Sequence, residues 1–242
     1  MKNRVYHLII ISLLPTILIS CNHLSNKNSS QESAKIKTVD TNITGQLSSE
    51  DNNIISYDSI VPNTNTHSGA TTYSLDYDSS RIIWNCVIHT GYTKFSSGEI
   101  QLFKDSIVDG HFKICMDSIT DTDIDYQLMN SVLVNTLKSK DFFDITKFPY
   151  AYFDLVRVKE IPGGQYEIVG NLTIKNVTNQ IRFQSDIQNQ DSIILARSNR
   201  FSIDRTKWGI TLYSRNFEQT DDRFLFTDMV NIEIILRLKK GV

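Results

Sequence analysis

This sequence contains few cysteines, and its net charge is small. The 242 residues include three cysteines and carry a formal net charge of −2. Because nucleic-acid binding needs a clearly basic face, we expect no nucleic-acid partner. Three cysteines are also too few for a disulfide scaffold. Cys86 and Cys115 lie among alternating apolar residues, which favours buried free thiols over a disulfide between them.

Catalytic and metal-binding motifs are missing as well. The chain contains no Gly-x-Ser-x-Gly, His-Glu-x-x-His, Cys-x-x-Cys or phosphate-binding glycine loop. His89 and His111 lie on separate predicted strands, without further ligands at consistent spacing. An acidic group lacks the glycine and the distal glutamate of a calcium loop, and a helix N-terminus explains its charge better. The members of that group are Asp117, Asp121, Asp123 and Asp125. We therefore expect no metal, no cofactor and no enzymatic activity.

The first 20 residues have the layout of an export signal. Lys2 and Arg4 precede an apolar run that ends at Ser20. The residues Leu-Ile-Ser before Cys21 resemble a bacterial lipobox, which predicts a lipoprotein signal peptide at 1–20 and acyl chains such as palmitate on Cys21. The alternative is a plain secretory signal that happens to contain a cysteine. Asn22 is not the aspartate that retains lipoproteins at an inner membrane, and no acidic run follows it. We expect attachment to the periplasmic face of the outer membrane, in the cell envelope.

The segment 21–71 is predicted to be a flexible tether. It is rich in Ser, Asn and Thr and poor in aromatic residues. Such a composition buries too little apolar surface to offset the entropy of ordering. The folded domain is therefore predicted at 72–242.

Alternation of apolar and polar residues dominates this domain, which is the pattern of half-buried strands. Ile82, Trp84 and Cys86 alternate with Ile83, Asn85 and Val87, and the pattern is clearest from Val230 to Leu238. Helical spacing of apolar residues predicts one α-helix at about 122–138. The fold class is therefore all-β, with about eight antiparallel strands and one helical excursion. Periodicity alone leaves a closed barrel and a sandwich open.

Aromatic residues are abundant, with twelve Phe, ten Tyr and two Trp in the chain. The ordinary explanation is a hydrophobic core, because burying one such side chain stabilises a fold by roughly 1.5–3 kcal/mol. A closed barrel of about eight strands is, however, just wide enough either to fill itself with side chains or to hold one ligand. Alternation does not decide between the two.

Several blocks of the domain carry a family likeness. They are Tyr73–Asp76, Ile83–Trp84, 137–153 (LKSKDFFDITKFPYAYF), 170–178 (GNLTIKNVT), 201–210 (FSIDRTKWGI) and Asp228 with Val230. Together they resemble the YceI-like polyisoprenoid-binding family of bacterial envelope proteins, over essentially all of 73–242. Two departures are Thr136, where many relatives have histidine, and Asn176, which replaces the usual glycine of a hairpin.

The resemblance implies a lipocalin-like antiparallel barrel with a long apolar tunnel that holds an amphiphilic lipid, such as a polyisoprenoid or an isoprenoid quinone. Candidate tunnel residues are Trp84, Phe112, Ile114, Phe142, Phe143, Phe153, Phe183 and Trp208. Expected partners are this lipid, the membrane that holds the N-terminal anchor, and a second copy of the chain in a homodimer, as in many relatives. One alternative is a structural or stress-response envelope protein with a filled barrel. Another is an enzyme that acts on a small apolar substrate through His89, His111 or Asp204.

The aromatic residues of 137–153 divide into two groups within this resemblance. Pro149 disfavours a helical conformation at Phe148, so a strand should start after the proline. Phe142, Phe143 and Phe148 are expected to pin the helical excursion to the barrel. Tyr152 and Phe153 point to opposite faces of the next strand, and we expect Phe153 to face the interior.

Overall fold

The computed structural model describes residues 68–217 and 227–241. The predicted signal peptide at 1–20, Cys21 and the predicted tether as far as residue 67 lie outside the described residues. The first described strand begins at Thr71, one residue before the predicted start of the domain.

The described chain forms ten strands, one α-helix and one 3₁₀ helix, Arg205–Trp208. The strands are β1 (Thr71–Leu75), β2 (Arg81–Cys86), β3 (His89–Phe103), β4 (Ser106–Asp121), β5 (Tyr150–Ile161), β6 (Gln165–Ile174), β7 (Val177–Gln190), β8 (Ile193–Ser198), β9 (Phe201–Asp204) and β10 (Met229–Lys240). The helix α1 (Gln127–Lys138) lies between β4 and β5. No helix in these ranges combines the length and the hydropathy needed to cross a bilayer.

The sheet closes into a ring of eight strand positions. The strands β2 to β8 pair in sequence order, and β10 pairs with both β2 and β8 to close the ring. All pairings are antiparallel; β1 extends the position of β2 between β3 and β10, and β9 extends the position of β8 beside β10. The prediction of an antiparallel barrel of about eight strands with one helix is confirmed, and the closed ring excludes the open sandwich.

Strand pairing around the ring is interrupted between β7 and β9, and we call this place the seam. Only Ser185–Gln190 of β7 pair with β8, and no ladder among the described residues joins Val177–Gln184 to β9. The 3₁₀ helix packs against β7 there, and the Asn179 side-chain amide donates a hydrogen bond to the Lys207 carbonyl oxygen at 3.0 Å. Apart from one backbone hydrogen bond, from the Asn199 N–H to the Gln184 carbonyl oxygen at 2.8 Å, side chains close the wall at this seam among the described residues.

The start of α1 differs from the prediction, which placed the acidic residues in the first helical turn. The helix begins at Gln127, and its first turn contains no acidic residue. Instead, Asp121 Oδ1 accepts hydrogen bonds from the backbone N–H groups of Asp123 at 3.2 Å and Ile124 at 2.9 Å. This side-chain bonding holds a turn at 121–124, because aspartate competes with helix formation in this way.

One end of the barrel carries α1, the β2–β3 turn and the 3₁₀ helix, and we call it the helix end. Helix α1 packs on β4, and Lys138 Nζ lies 2.8 Å from Asp117 Oδ1. Close packing inside the barrel depends on two glycines. A Cβ on Gly91 would overlap the indole of Trp84, and a Cβ on Gly170 would overlap the ring of Phe153.

Candidate ligand-binding cavity

An internal cavity of about 230 Å³ lies inside the ring. Every strand of the ring contributes residues to its lining, and most of them are aliphatic or aromatic. Seven of the eight candidates named from the sequence line it: Trp84, Phe112, Ile114, Phe142, Phe143, Phe153 and Phe183. Their contact with a ligand stays a prediction.

The eighth candidate, Trp208, lies elsewhere. It is buried in the 3₁₀ helix, and its indole N–H donates a hydrogen bond to the Leu172 carbonyl oxygen at 3.0 Å. Trp208 is not part of the cavity lining. The alternation rule for strands does not apply to a residue of a 3₁₀ helix, and this side chain helps to fill the wall beside the seam.

The cavity is elongated along the barrel. On β10, every second residue from Val230 to Leu238 lines it. These eight steps correspond to roughly 27 Å along an antiparallel strand, or about 20 Å along the axis at the usual strand tilt. The lining thus follows most of the length of β10, as a chain-shaped ligand would require.

Five phenylalanines form an aromatic belt around the inside of the barrel, and they are Phe95, Phe112, Phe153, Phe183 and Phe201. Consecutive ring centroids are 5.9, 6.4, 6.0 and 4.7 Å apart, within the range of favourable aromatic pairs. Phe153 sits in the middle of the belt and faces the interior, as its strand position predicts. Phe95 and Phe201 were missed from the sequence, although Phe201 opens one of the blocks that carry the family likeness.

Hydroxyl groups on the lining already have partners. Thr93 Oγ1 donates to the Cys115 carbonyl oxygen at 2.9 Å, and Ser198 Oγ accepts from the Ile234 N–H at 2.8 Å. Ser185 Oγ donates to the Asp186 carbonyl oxygen at 3.1 Å. The wall is therefore effectively apolar at these positions.

Arg205 brings a charge to the helix end of the cavity. The side chain is buried, and its Nη1 donates to the Ile210 carbonyl oxygen at 2.8 Å. Its Nε donates to the Thr227 carbonyl oxygen at 3.1 Å, and its Nη2 lies 3.4 Å from Asp228 Oδ1. The guanidinium group also lies 5.4 Å from the ring centroid of Phe142. These contacts compensate the charge and hold Phe142 against the lumen.

The indole N–H of Trp84 stands apart from the other polar groups of the lining. Trp84 is 7% exposed, and its Nε1 has no hydrogen-bond partner among the described residues. A buried polar group without a partner costs about 1–3 kcal/mol. An oxygen atom of a ligand could remove that cost by accepting this hydrogen bond.

The three acid–base candidates of the enzyme alternative do not line the cavity. Both ring nitrogens of His111 are occupied, by Asp154 at 2.8 Å and by Asp109 at 3.1 Å. The Asp204 carboxylate accepts hydrogen bonds from the backbone and hydroxyl of Thr206, which caps the 3₁₀ helix. His89 lies beside Asp123 at the helix end.

Three of the described groups with a shifted pKa lie near the candidate acid–base residues or the cavity lining. Burial lowers the pKa of His111, but its hydrogen bond with Asp154 and the negative charge of Asp109 outweigh burial, so the pKa is raised. Burial and the neighbouring Asp123 carboxyl raise the pKa of Asp121. Burial also raises the pKa of Cys86, which keeps it a neutral thiol. Cys86 and Cys115 are both free and half-buried.

Comparisons with known proteins find a family model that matches the barrel domain and solved structures that resemble it. A model of the YceI-like domain matches residues 73–238. The crystal structure of BcnA from Burkholderia cenocepacia superposes with a TM-score of 0.55 and 19% identity, over 67% of this chain and 98% of that one. A structure described as a polyisoprenoid binding domain from Saccharophagus degradans gives a TM-score of 0.48 and 14% identity, over 70% of this chain and 98% of that one.

A curated relative also matches over a short segment. A UPF0312 protein of Yersinia enterocolitica is 41% identical over 54 residues, which are 22% of this chain. The matched segment spans only 28% of the length of that relative.

Proposed function

The chain belongs to the YceI-like family, and from this premise we propose that its barrel binds or carries a long apolar lipid. The observation that carries the proposal is the elongated cavity of about 230 Å³ with its apolar lining. Apolar cavities of about 150 Å³ stay dry and take up apolar molecules. A hydrocarbon chain moved from water into such a space gains about 25 cal/mol per Å² buried.

The ligand class that we propose is a polyisoprenoid or isoprenoid-quinone chain with an oxygen-bearing head group. The resemblance drawn from the sequence implies ligands of this kind, and their length suits a lumen lined along most of β10. The aromatic belt offers flat surfaces for a branched chain. The unpartnered Trp84 N–H would donate a hydrogen bond to the head group and so orient the ligand.

We also propose that the protein acts as a lipoprotein of the cell envelope. The basic and apolar signal and the lipobox before Cys21 support this. Several acyl chains on Cys21 would give durable membrane attachment. The tether would then let the domain meet lipids at the periplasmic face of the outer membrane.

The cavity supports a carrier over the alternatives of a filled barrel and an enzyme. A filled barrel would leave no continuous space between the strands. An enzyme would need its acid–base group beside the substrate, and none of His89, His111 and Asp204 lines the cavity.

The test is native mass spectrometry of the purified protein, followed by uptake of a labelled isoprenoid. We expect bound lipid in the wild type and uptake of the label. Ala151→Phe places a ring in the lumen, because Ala151 is buried and lines the cavity. Val156→Phe is the matched control on the outside of the same strand, where Val156 is 52% exposed.

We expect at least a tenfold loss of uptake in Ala151→Phe and unchanged uptake in Val156→Phe. Absence of both bound lipid and uptake in the wild type would overturn the proposal. So would full uptake by a folded Ala151→Phe variant. For the anchor, Cys21→Ala should move the protein from the membrane to the soluble fraction, and retention at the membrane would contradict it.

A further inference from the structure

His89, Asp121 and Asp123 form a cluster at the helix end, which we call the carboxylate–histidine cluster. His89 starts β3, Asp121 ends β4, and Asp123 lies in the turn that follows. His89 Nδ1 is 3.4 Å from Asp123 Oδ1 and 3.9 Å from Asp121 Oδ2. One ligand atom from each residue lies within 4.8 Å of the other two. The fold thus brings together three groups that could coordinate a cation.

Only one of the two carboxylate oxygens of Asp121 accepts hydrogen bonds from the described residues. Its side chain is fully buried, and its Oδ1 accepts hydrogen bonds from the N–H groups of Asp123 and Ile124 and from Asn130 Nδ2 at 3.2 Å. Its Oδ2 has no hydrogen-bond partner among the described residues and lies beside the His89 ring. A rigidly held carboxylate with a buried unpaired oxygen is costly unless a further positive group meets it.

The other histidine of the barrel wall offers a useful contrast. His111 also lies between carboxylates, but each of its ring nitrogens contacts one of them, Asp154 or Asp109. No buried carboxylate oxygen is left without a partner there among the described residues. The two sites have similar composition, and they differ in whether a ligand atom is left open.

We propose that the carboxylate–histidine cluster binds a divalent transition-metal ion of the zinc class. The ligands are His89 Nδ1, Asp121 Oδ2 and Asp123 Oδ1. An ion with tetrahedral bonds of about 2.1 Å separates its ligand atoms by about 3.4 Å, and the distances to His89 Nδ1 lie close to that value. One imidazole with two carboxylates suits zinc better than the all-oxygen sets that calcium and magnesium prefer.

Two further features fit such a site. The contacts to Asp121 Oδ1 are the outer-shell hydrogen bonds that orient metal-ligating carboxylates. Asp123 and His89 are partly exposed, with side-chain exposures of 32% and 21%, so an ion can enter from solvent. Three protein ligands leave one coordination position for water or for an anionic group. This proposal does not depend on lipid binding.

The test is calorimetric titration of the purified, chelator-treated protein with Zn²⁺. We expect one ion per chain in the wild type. His89→Ala and Asp123→Asn each remove one ligand and should weaken binding at least tenfold. Both positions are partly exposed, so these variants should fold, and circular dichroism checks this. His111→Ala and Asp125→Asn are the matched controls, and each should keep the wild-type affinity within about twofold.

A second readout is thermal unfolding, because an ion that binds only the folded state raises the melting temperature. Zn²⁺ should raise it in the wild type and in both controls, but not in His89→Ala. Failure of the wild type to bind Zn²⁺ would overturn the proposal. Unchanged Zn²⁺ affinity in folded His89→Ala and Asp123→Asn would overturn it equally.

Discussion

Phe183 of β7 and Phe201 of β9 stack face to face, with ring centroids 4.7 Å apart and ring planes inclined by 10°. The two strands that carry them share no backbone ladder among the described residues. The stack therefore takes the place of a backbone ladder between these two strands. Both rings also line the cavity, so the same contact closes the wall and shapes the lumen.

Phe201→Ala should lower the free energy of unfolding by about 2 kcal/mol. The half-buried ring loses its packing and its aromatic partner, which together account for an effect of this size. Phe217→Ala is the control, because Phe217 is 61% exposed, and it should change stability by less than about 0.5 kcal/mol. Urea denaturation measures both. Equal effects would show that the stack does not hold the seam.

Trp84→Phe should weaken binding of an isoprenoid alcohol about tenfold, or roughly 1.4 kcal/mol, because it removes the indole N–H and keeps an aromatic ring. Binding of the matching hydrocarbon, which has no oxygen, should stay within about twofold. Displacement of a fluorescent apolar probe by geranylgeraniol and by its hydroxyl-free analogue measures the difference. A similar loss for both ligands would assign Trp84 a packing role alone.

Gly170→Ala should destabilise the fold by about 1–3 kcal/mol, as overpacking in a core does. The new Cβ would overlap the Phe153 ring and lie 2.8 Å from the Asp154 carbonyl oxygen. Gly110→Ala is a milder comparison, because its Cβ would lie 3.2 Å from the movable Cγ2 of Ile100. Chemical denaturation should rank Gly170→Ala well below Gly110→Ala in stability, and the reverse order would contradict the packing argument.

Arg205→Met should cost about 3–5 kcal/mol of stability. It leaves the Asp228 carboxylate without its buried cation and two carbonyl oxygens without donors. Arg157→Met breaks an exposed ion pair with Glu167 and should cost less than about 1 kcal/mol. The midpoints of guanidinium unfolding compare the two, and comparable losses would be inconsistent with a structural role for Arg205.

The contribution of His111 to stability should depend on pH. Its pKa is raised in the folded state, because the hydrogen bond with Asp154 and the charge of Asp109 outweigh burial. A raised folded pKa adds stability that is fully present below the unfolded pKa of about 6.5 and is lost as pH rises through the folded pKa. Glu99, which lies opposite on β3, adds a further negative neighbour.

His111→Gln should therefore lower the free energy of unfolding more at about pH 5.5 than at about pH 8.5. Denaturation of the wild type and the variant at both pH values measures this. A loss that is the same at both values, or greater at the higher one, would contradict a protonated His111 between two carboxylates.

Strand positions and most of the lining could be predicted from the sequence, because both follow from local alternation. On β10, apolar residues recur at every second position from Val230 to Leu238, with Ile235 as the one apolar residue between them, and the recurring set lines the cavity. Phe153 faces inward for the same reason. Alternation predicts which residues share a face, but not whether the space between the faces is filled.

The remaining features depend on contacts that no local pattern encodes. The turn at Asp121 delays the start of α1 because one side chain bonds to its own backbone. Trp208 lies outside the cavity because a 3₁₀ helix replaces a strand at the seam. His89 and Asp123 are 34 positions apart, and only the pairing of β3 with β4 brings them together.

The position of β10 in the ring has a kinetic consequence. Among the described strands β10 is the last in the chain, and it pairs both with the first two strands, β1 and β2, and with β8 and β9, which directly precede it. Trp84 and Ile232 are neighbours across this closure, so a long loop must close before the barrel forms. Folding should therefore be slow, as it is for proteins with distant pairings. Until β10 docks, β2 and β8 present free edges that are prone to aggregation, and an interrupted chain would expose them permanently.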